Sequence, residues 1–332
     1  MTIRSHRMAL IMLLLVSFVW GAEFVLIDMA IESLPVNTFN ALRFTLAGLS
    51  LIPLFLLSGE KVRKDQLLPV IQKGAILGAM LGLGFYTQTE GLLHTSVSNA
   101  GFITGLNVPL VPVLGFLIFR TAASRAVWAG VLCSTLGLYL LTMGDKLEFN
   151  YGDFLVLICA FCFAIHIVMT GRYVGSLPVI ALSISQLFAV AIYSSCAAML
   201  SPDPAFYLPG HEAVSWQEQL TDPIIFSAIT IAGMFGTAYA YWAQSACQQI
   251  LPDYKVALVF ATEPVFAYIT AWLILDETLG MIGVAGAIAI VIGMLVSELG
   301  DKKHPPEISP LDHTATANPE LASKSAESQK TA

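Results

Sequence analysis

The sequence predicts an all-α integral membrane protein of ten transmembrane helices, arranged as two inverted five-helix repeats. Three observations carry that expectation. Of the 332 residues, 56% are hydrophobic and only 12% are charged, about half the charged share of a soluble domain, and the mean hydropathy is +0.75. Apolar runs long enough to cross a bilayer recur along the chain. The second half also repeats landmarks of the first at nearly constant spacing. A water-borne globule could not cover this much apolar side chain, so the excess must face lipid.

The runs fall at roughly 8–31, 36–57, 71–91, 97–118, 125–143, 153–171, 178–200, 222–246, 254–275 and 280–299. In hydrocarbon each backbone N–H and C=O needs a partner within the segment, which makes these runs helices. The alternating polarity of a membrane barrel is absent. The first run follows Arg4, His6 and Arg7 in the manner of a signal peptide. It continues through Trp20 to Ile31 without an A-x-A-like cleavage site, so it is expected to be retained as the first span.

Charge placement sets the expected orientation. With both termini cytoplasmic, Lys146 is the one basic residue of sixteen on the outer side, and Arg43 the one inside a span. That bias suits a multi-pass protein of the bacterial inner (plasma) membrane. Residues 1–147 form the first repeat, 148–299 the second, and 300–332 a polar tail expected to be disordered and cytoplasmic. The five cysteines, including Cys159 and Cys162, lie in or beside apolar runs, which suits helix packing better than a disulfide framework.

The repeat is read from particular residues. Ser33-Leu34-Pro35 recurs as Ser176-Leu177-Pro178, 143 positions on. Gly78, Tyr86 and Pro109 recur 155 positions on as Gly233, Tyr241 and Pro264. Gly130 and Gly137 recur as Gly286 and Gly293. Five spans per repeat, an odd number, force the second half through the membrane in the opposite sense. Such repeats place a binding site near the midplane, between the halves.

Several stretches resemble the EamA family of the drug/metabolite transporter (DMT) superfamily. They are Trp20-Gly21, Arg43 to Gly48, Phe102 to Pro109, Gly152-Asp153-Phe154, Glu263 to Ala267 and Asp276-Glu277-Thr278, where the family usually has Gly-Glu-Thr. The resemblance covers about residues 8–299. It implies two inverted five-helix repeats and, in several members, export of amino acids or related metabolites.

Ionisable residues inside spans cost about 2.5–3.5 kcal/mol each on insertion scales, so each needs a reason. Glu23 and Arg43 lie at matching depth in the first two spans and are expected to pair, to meet a charged or zwitterionic substrate, or both. His166 is the repeat equivalent of Glu23 and is expected to face the same cavity from the other side. Glu263 precedes Pro264, and Asn107 lies two residues before Pro109. These prolines each remove a backbone donor and loosen the preceding turn, which points to a central site. Glu23, His166 and Glu263 are the candidate proton carriers. Trp20, Tyr86, Gln88, Tyr239, Tyr241 and Trp242 are candidate pocket residues, with packing or an interfacial belt as the ordinary alternative for each.

The expected partners are a small-molecule substrate, a proton and membrane lipid. Sparse, scattered basic residues argue against nucleic acid. No P-loop is present, so a gradient or exchange is the expected energy source. No H-E-x-x-H or G-x-S-x-G motif supports the alternative, a membrane-embedded enzyme, or a cofactor or metal. A receptor, the other alternative, has no need of inverted repeats.

Overall fold

The computed structural model describes residues 5–95, 97–142, 150–202, 204–207, 215–267, 269 and 280–300. These residues form α1 (His6–Ile31), α2 (Val36–Ser58), α3 (Lys64–Leu92), α4 (Val97–Gly105), α5 (Asn107–Phe119), α6 (Arg125–Thr142), α7 (Tyr151–Val174) and α8 (Val179–Leu200). The chain continues through α9 (Trp216–Thr221), α10 (Pro223–Gly233), a π-helical turn (Met234–Tyr239), α11 (Ala240–Cys247), α12 (Asp253–Phe260) and α13 (Met281–Gly300). Among the described residues, eight helical stretches are long and apolar enough to cross a membrane. Exposed aliphatic side chains such as Leu57 and Met199 mark surface suited to lipid.

Three sequence expectations meet the structure in altered form. The fifth run is a shorter apolar helix, Arg125–Leu140. The ninth is described only through α12 and residues 263–267, and the rest of it lies outside the described residues, as do Asp276-Glu277-Thr278 and the tail from 301. The third helix starts at Lys64 rather than near 71, because its polar first turn is held by a bond from the Arg63 backbone N–H to Gln66 Oε1.

Local chemistry explains where helices begin and end. α7 opens on a capping box: Asn150 Oδ1 accepts from the Asp153 N–H, and the Asp153 carboxylate accepts from the Asn150 N–H. Asp222 caps α10 by accepting from Ile224 and Ile225, with Pro223 in the first turn, where its missing donor costs nothing. α2 ends on Gly59, whose φ of 72° is the left-handed cap that glycine adopts freely.

Two interruptions shape the interior. The fourth run breaks at Leu106, between α4 and α5. The ninth breaks at Ala261 and Thr262, and residues 263–267 resume as helix. Leu106 and Ala261 are 155 positions apart, the spacing that relates Pro109 to Pro264.

Packing between the halves is reciprocal. A methyl group on Gly130 would fall 2.5 Å from Gly293 O, and one on Gly137 would fall 2.7 Å from Gly286 O. The first pair joins a residue to the counterpart of its neighbour, and the second pair does the converse. α3 against α8 and α10 against α2 repeat the pattern: Gly78 abuts the Gln186 carbonyl, and Gly233 abuts the Arg43 carbonyl. Small residues let backbones approach this closely, which matters where lipid supplies no hydrophobic drive for helix association.

Gly130→Ala is therefore expected to destabilise the folded protein by about 1–3 kcal/mol through overpacking. Gly101→Ala, where nothing lies within 4 Å, is expected to cause no loss. Thermal unfolding in detergent compares the two.

Candidate functional site

α1 and α2 place two opposite charges in one buried spot. Glu23 and Arg43 are 4% and 1% exposed, and Arg43 Nη2 donates to Glu23 Oε1 at 2.8 Å. Arg43 Nε donates to Thr237 Oγ1 at 2.7 Å, and its guanidinium lies over the Phe85 ring at 4.7 Å. The cation thus meets acceptors at its edge and a ring at its face, which is what a buried arginine needs.

The π-helical turn makes this arrangement possible. It brings Gly236 against α1, so close that a methyl group there would overlap Glu23 Oε2. It also presents the Gly236 carbonyl to Trp20, whose Nε1–H donates at 2.7 Å. Widened turns of this kind free a carbonyl that an α-helix would have used internally.

A hollow of about 40 Å³ opens beside the pair, room for about three water molecules. Trp20, Glu23, Arg43, Gln88, Asn107, Tyr241 and Glu263 line it. Asn107 and Glu263 enter from the two helix breaks, each in the first turn after its interruption. Both breaks therefore deliver a polar side chain, an amide from one and a carboxyl from the other, to the same place. Glu23 Oε2 and Asn107 Oδ1 are buried without a protein partner. Gln88 Nε2 donates to Thr104 Oγ1 at 3.2 Å, just before the first break.

Aromatic rings wall the hollow. Trp20 stands 5.9 Å from Tyr241, Tyr241 stands 6.0 Å from Phe85, and Phe85 stands 5.2 Å from Phe163. The formal charges facing the hollow are Glu23, Arg43 and Glu263. With the first two paired, Glu263 is the acid left over.

Four residues singled out from the sequence lie elsewhere. Tyr86 is 39% exposed and outside the lining. On α3 the hollow is met by Phe85, Gln88, Thr89 and Leu92, one helical face, and Tyr86 is turned about 100° from Phe85. Tyr239 and Trp242 pack against an apolar core instead, with Tyr239 Oη donating to the Met12 carbonyl at 3.4 Å. His166 does not share the hollow with Glu23. It is 1% exposed, its Nε2 sits 2.8 Å from Gln186 Oε1, and only its ring edge reaches Tyr241, at 5.5 Å.

Glu23 and His166 are 143 positions apart, and so are Arg43 and Gln186. Where the earlier two make an ion pair, Glu23 with Arg43, the later two make a histidine–amide contact, His166 with Gln186. Sequence reasoning missed Gln186, Thr104 and Thr237. Gln186 was within reach, since adding 143 to Arg43 finds it. Thr237 had no signal, because the π-helical turn that aims it leaves no sequence mark.

Comparison with known proteins fits this geometry. The sequence model of the EamA-like transporter family matches residues 7–143 and 150–299. A protein of Archaeoglobus fulgidus named as an uncharacterized transporter is 28% identical over 287 residues, 86% of this chain and 84% of its own length. The uncharacterized inner membrane transporter YedA of Escherichia coli K12 is 24% identical over 311 residues, 90% of this chain and 94% of its own. One solved crystal structure matches at a TM-score of 0.71 and 18% identity, covering 89% of this chain and 98% of that one. That last likeness concerns the fold alone.

Removing one member of the buried pair leaves its partner uncompensated. Arg43→Met is expected to cost about 3–5 kcal/mol of stability. The double variant Glu23→His with Arg43→Gln copies the His166–Gln186 pair and is expected to recover most of that loss. Thermal unfolding of the single and double variants in one detergent reads both.

Proposed function

The chain belongs to the EamA-like transporter family, and on that ground we propose a secondary transporter that exports a small metabolite such as an amino acid or amine. It works by alternating access, with the hollow between the halves open first to one face and then to the other. The observation that carries the reading is the pair of helix breaks, 155 positions apart, that deliver Asn107 and Glu263 to the hollow beside Glu23 and Arg43. Broken helices at matching positions are how such carriers place backbone groups against a substrate.

The reciprocal glycine contacts support two inverted five-helix repeats, residues 1–147 and 148–299. A local two-fold axis exchanges Gly130 and Gly137 with Gly286 and Gly293, as a self-complementary interface requires. The family's match to residues 7–143 and 150–299 fits the same division.

An unpaired carboxylate beside a bonded ion pair favours a cationic or zwitterionic substrate. Its ammonium would meet Glu263, and its carboxylate would meet Arg43 and Asn107. The aromatic wall of Trp20, Tyr241 and Phe85 suits the remaining apolar body and the cation alike. Glu263 is the carrier of a coupling proton in this scheme, exchanging it against the substrate cation. Glu23 is held by Arg43, and His166 serves as a strut with Gln186. A hollow of about 40 Å³ is too small for an organic substrate, so it must widen as one face opens.

Both termini lie in the cytoplasm of a bacterium, in the inner membrane where the relative YedA is named to reside. Basic residues support that orientation. Lys255 reaches Glu298 at 3.3 Å, and Glu298 also takes His6 at the start of α1. Lys73 sits over Tyr173 and Arg172 over Phe119. Positive charge thus gathers at the ends of several helices.

The test is uptake of a labelled panel of amino acids and amines into proteoliposomes under an imposed pH gradient. Wild-type protein is expected to drive saturable, gradient-dependent flux of at least one member. Glu263→Gln is expected to reduce that flux ten-fold or more and to flatten its pH dependence. Flux indifferent to the gradient, with Glu263→Gln unchanged, overturns proton coupling.

A further inference from the structure

Buried polar groups continue past the hollow toward the face that holds the chain's amino terminus. α11 and the residue after it carry Tyr241, Gln244, Ser245 and Gln248 at spacings of three, four and seven, which is one helical face. Tyr241 lines the hollow. Gln244 Nε2 donates to Gln248 Oε1 at 3.1 Å. Gln248 Nε2 in turn donates to Asp253 Oδ1 at 2.8 Å and to the Ile167 carbonyl at 2.8 Å.

α7 and α8 add polar groups of their own. Thr170 Oγ1 lies 3.5 Å from His166 Nε2, which bonds to Gln186, and Ser183 precedes Gln186 by one turn of α8. These side chains are almost wholly buried. Three polar atoms among them, Ser183 Oγ, Gln186 Nε2 and Ser245 Oγ, have no partner in the protein. Leaving such atoms unpaired is costly, and bound water is their usual partner in an interior.

The repeat supplies an internal control. The first-half counterparts of Thr170 and Gln248 are Ile27 and Leu93. Ile27 is buried as Thr170 is, so the architecture accepts hydrocarbon at that place and packing alone does not require a hydroxyl there in the second half. The counterpart of Asp253 is Ser98, a hydroxyl that cannot ionise, so the carboxylate also belongs to the second half alone.

Asp253 ends the seam. Its carboxylate lies so close to α7 that a methyl group on Gly171 would overlap Oδ1. Gln248 is its donor, and no ion pair reaches it among the described residues. Nearby charges are engaged elsewhere: Lys255 and His6 with Glu298, and Arg172 over Phe119. The links from Lys255 and His6 to Glu298 put Asp253 at the same face as the start of α1.

Resting on the proton-coupled reading above, we infer that this seam is a proton pathway joining the hollow to the amino-terminal face, with Asp253 as the carboxylate at its mouth. A proton leaves the Glu263 carboxyl beside Tyr241 and passes along water bonded to Ser245, Gln186 and Ser183. The Asp253 carboxylate takes it and releases it to the aqueous face, and the reverse sequence reloads Glu263. One proton moves and no electrons do. Glu23 and Arg43, the other charges facing Glu263, are tied to each other and stay out of the transfer.

Time-resolved infrared spectroscopy of the full chain in lipid, after a pH jump, tests the pathway. The Glu263 carboxyl band is identified by its loss in Glu263→Gln. Asp253→Asn, Gln248→Leu and Thr170→Ile are each expected to slow its protonation ten-fold or more with its amplitude kept. The last two place the first-half residue types in the second half. Thr170→Val keeps the shape of threonine and serves if a larger change prevents folding. Equal rates in all variants overturn the pathway and leave Glu263 as the carrier. A Glu263 band that does not respond to pH overturns the proton-coupled reading itself.

Discussion

The contact between Arg43 and Glu23 constrains everything built around the hollow. Two charges out of water are costly unless they are matched to each other. Thr237, the Phe85 ring and the carboxylate complete the arginine. Those partners come from α3, α1 and the π-helical turn, while the arginine itself stands on α2, so one ion pair fixes how four segments meet. Gly236 follows from the same demand, since any side chain there would displace Glu23.

At the positions 143 residues on from Glu23 and Arg43, His166 and Gln186 make a contact with no carboxylate or guanidinium in it. The scaffold is therefore shared while the chemistry is not. The hollow is electrically lopsided, with an acid at the second helix break and an amide at the first. Each face also carries the same tie across its helices: Gln66 Nε2 to Ser176 O at 3.5 Å on one, and Gln219 Nε2 to Ser33 O at 3.4 Å on the other. Gln219 Nε2 also donates to the Phe206 carbonyl at 3.1 Å, so that tie is the firmer of the two.

Composition and hydropathy made the all-α membrane fold legible, because lipid leaves so few alternatives. The positions of the helix breaks were legible too, since Pro109 and Pro264 mark them within one turn. The site was legible where a single residue carries the signal, as with the depth match of Glu23 and Arg43. It was not legible where direction around a helix decides. Tyr86 and Phe85 are neighbours in sequence, yet the phenylalanine faces inward with Gln88, Thr89 and Leu92. His166 shares a repeat position with Glu23, but Gln186 engages it. The π-helical turn, which depends on tertiary contacts rather than local propensity, had no reading in the sequence.

Distances across the two faces test the central claim of alternating access most directly. Spin labels at Asp65 and Ser176 on one face, and at Ser33 and Glu218 on the other, can be measured by double electron–electron resonance in acidic and alkaline lipid samples. Alternating access requires the two separations to change in opposite senses, one face wide while the other stays narrow. Separations that widen together, or that never change, contradict it.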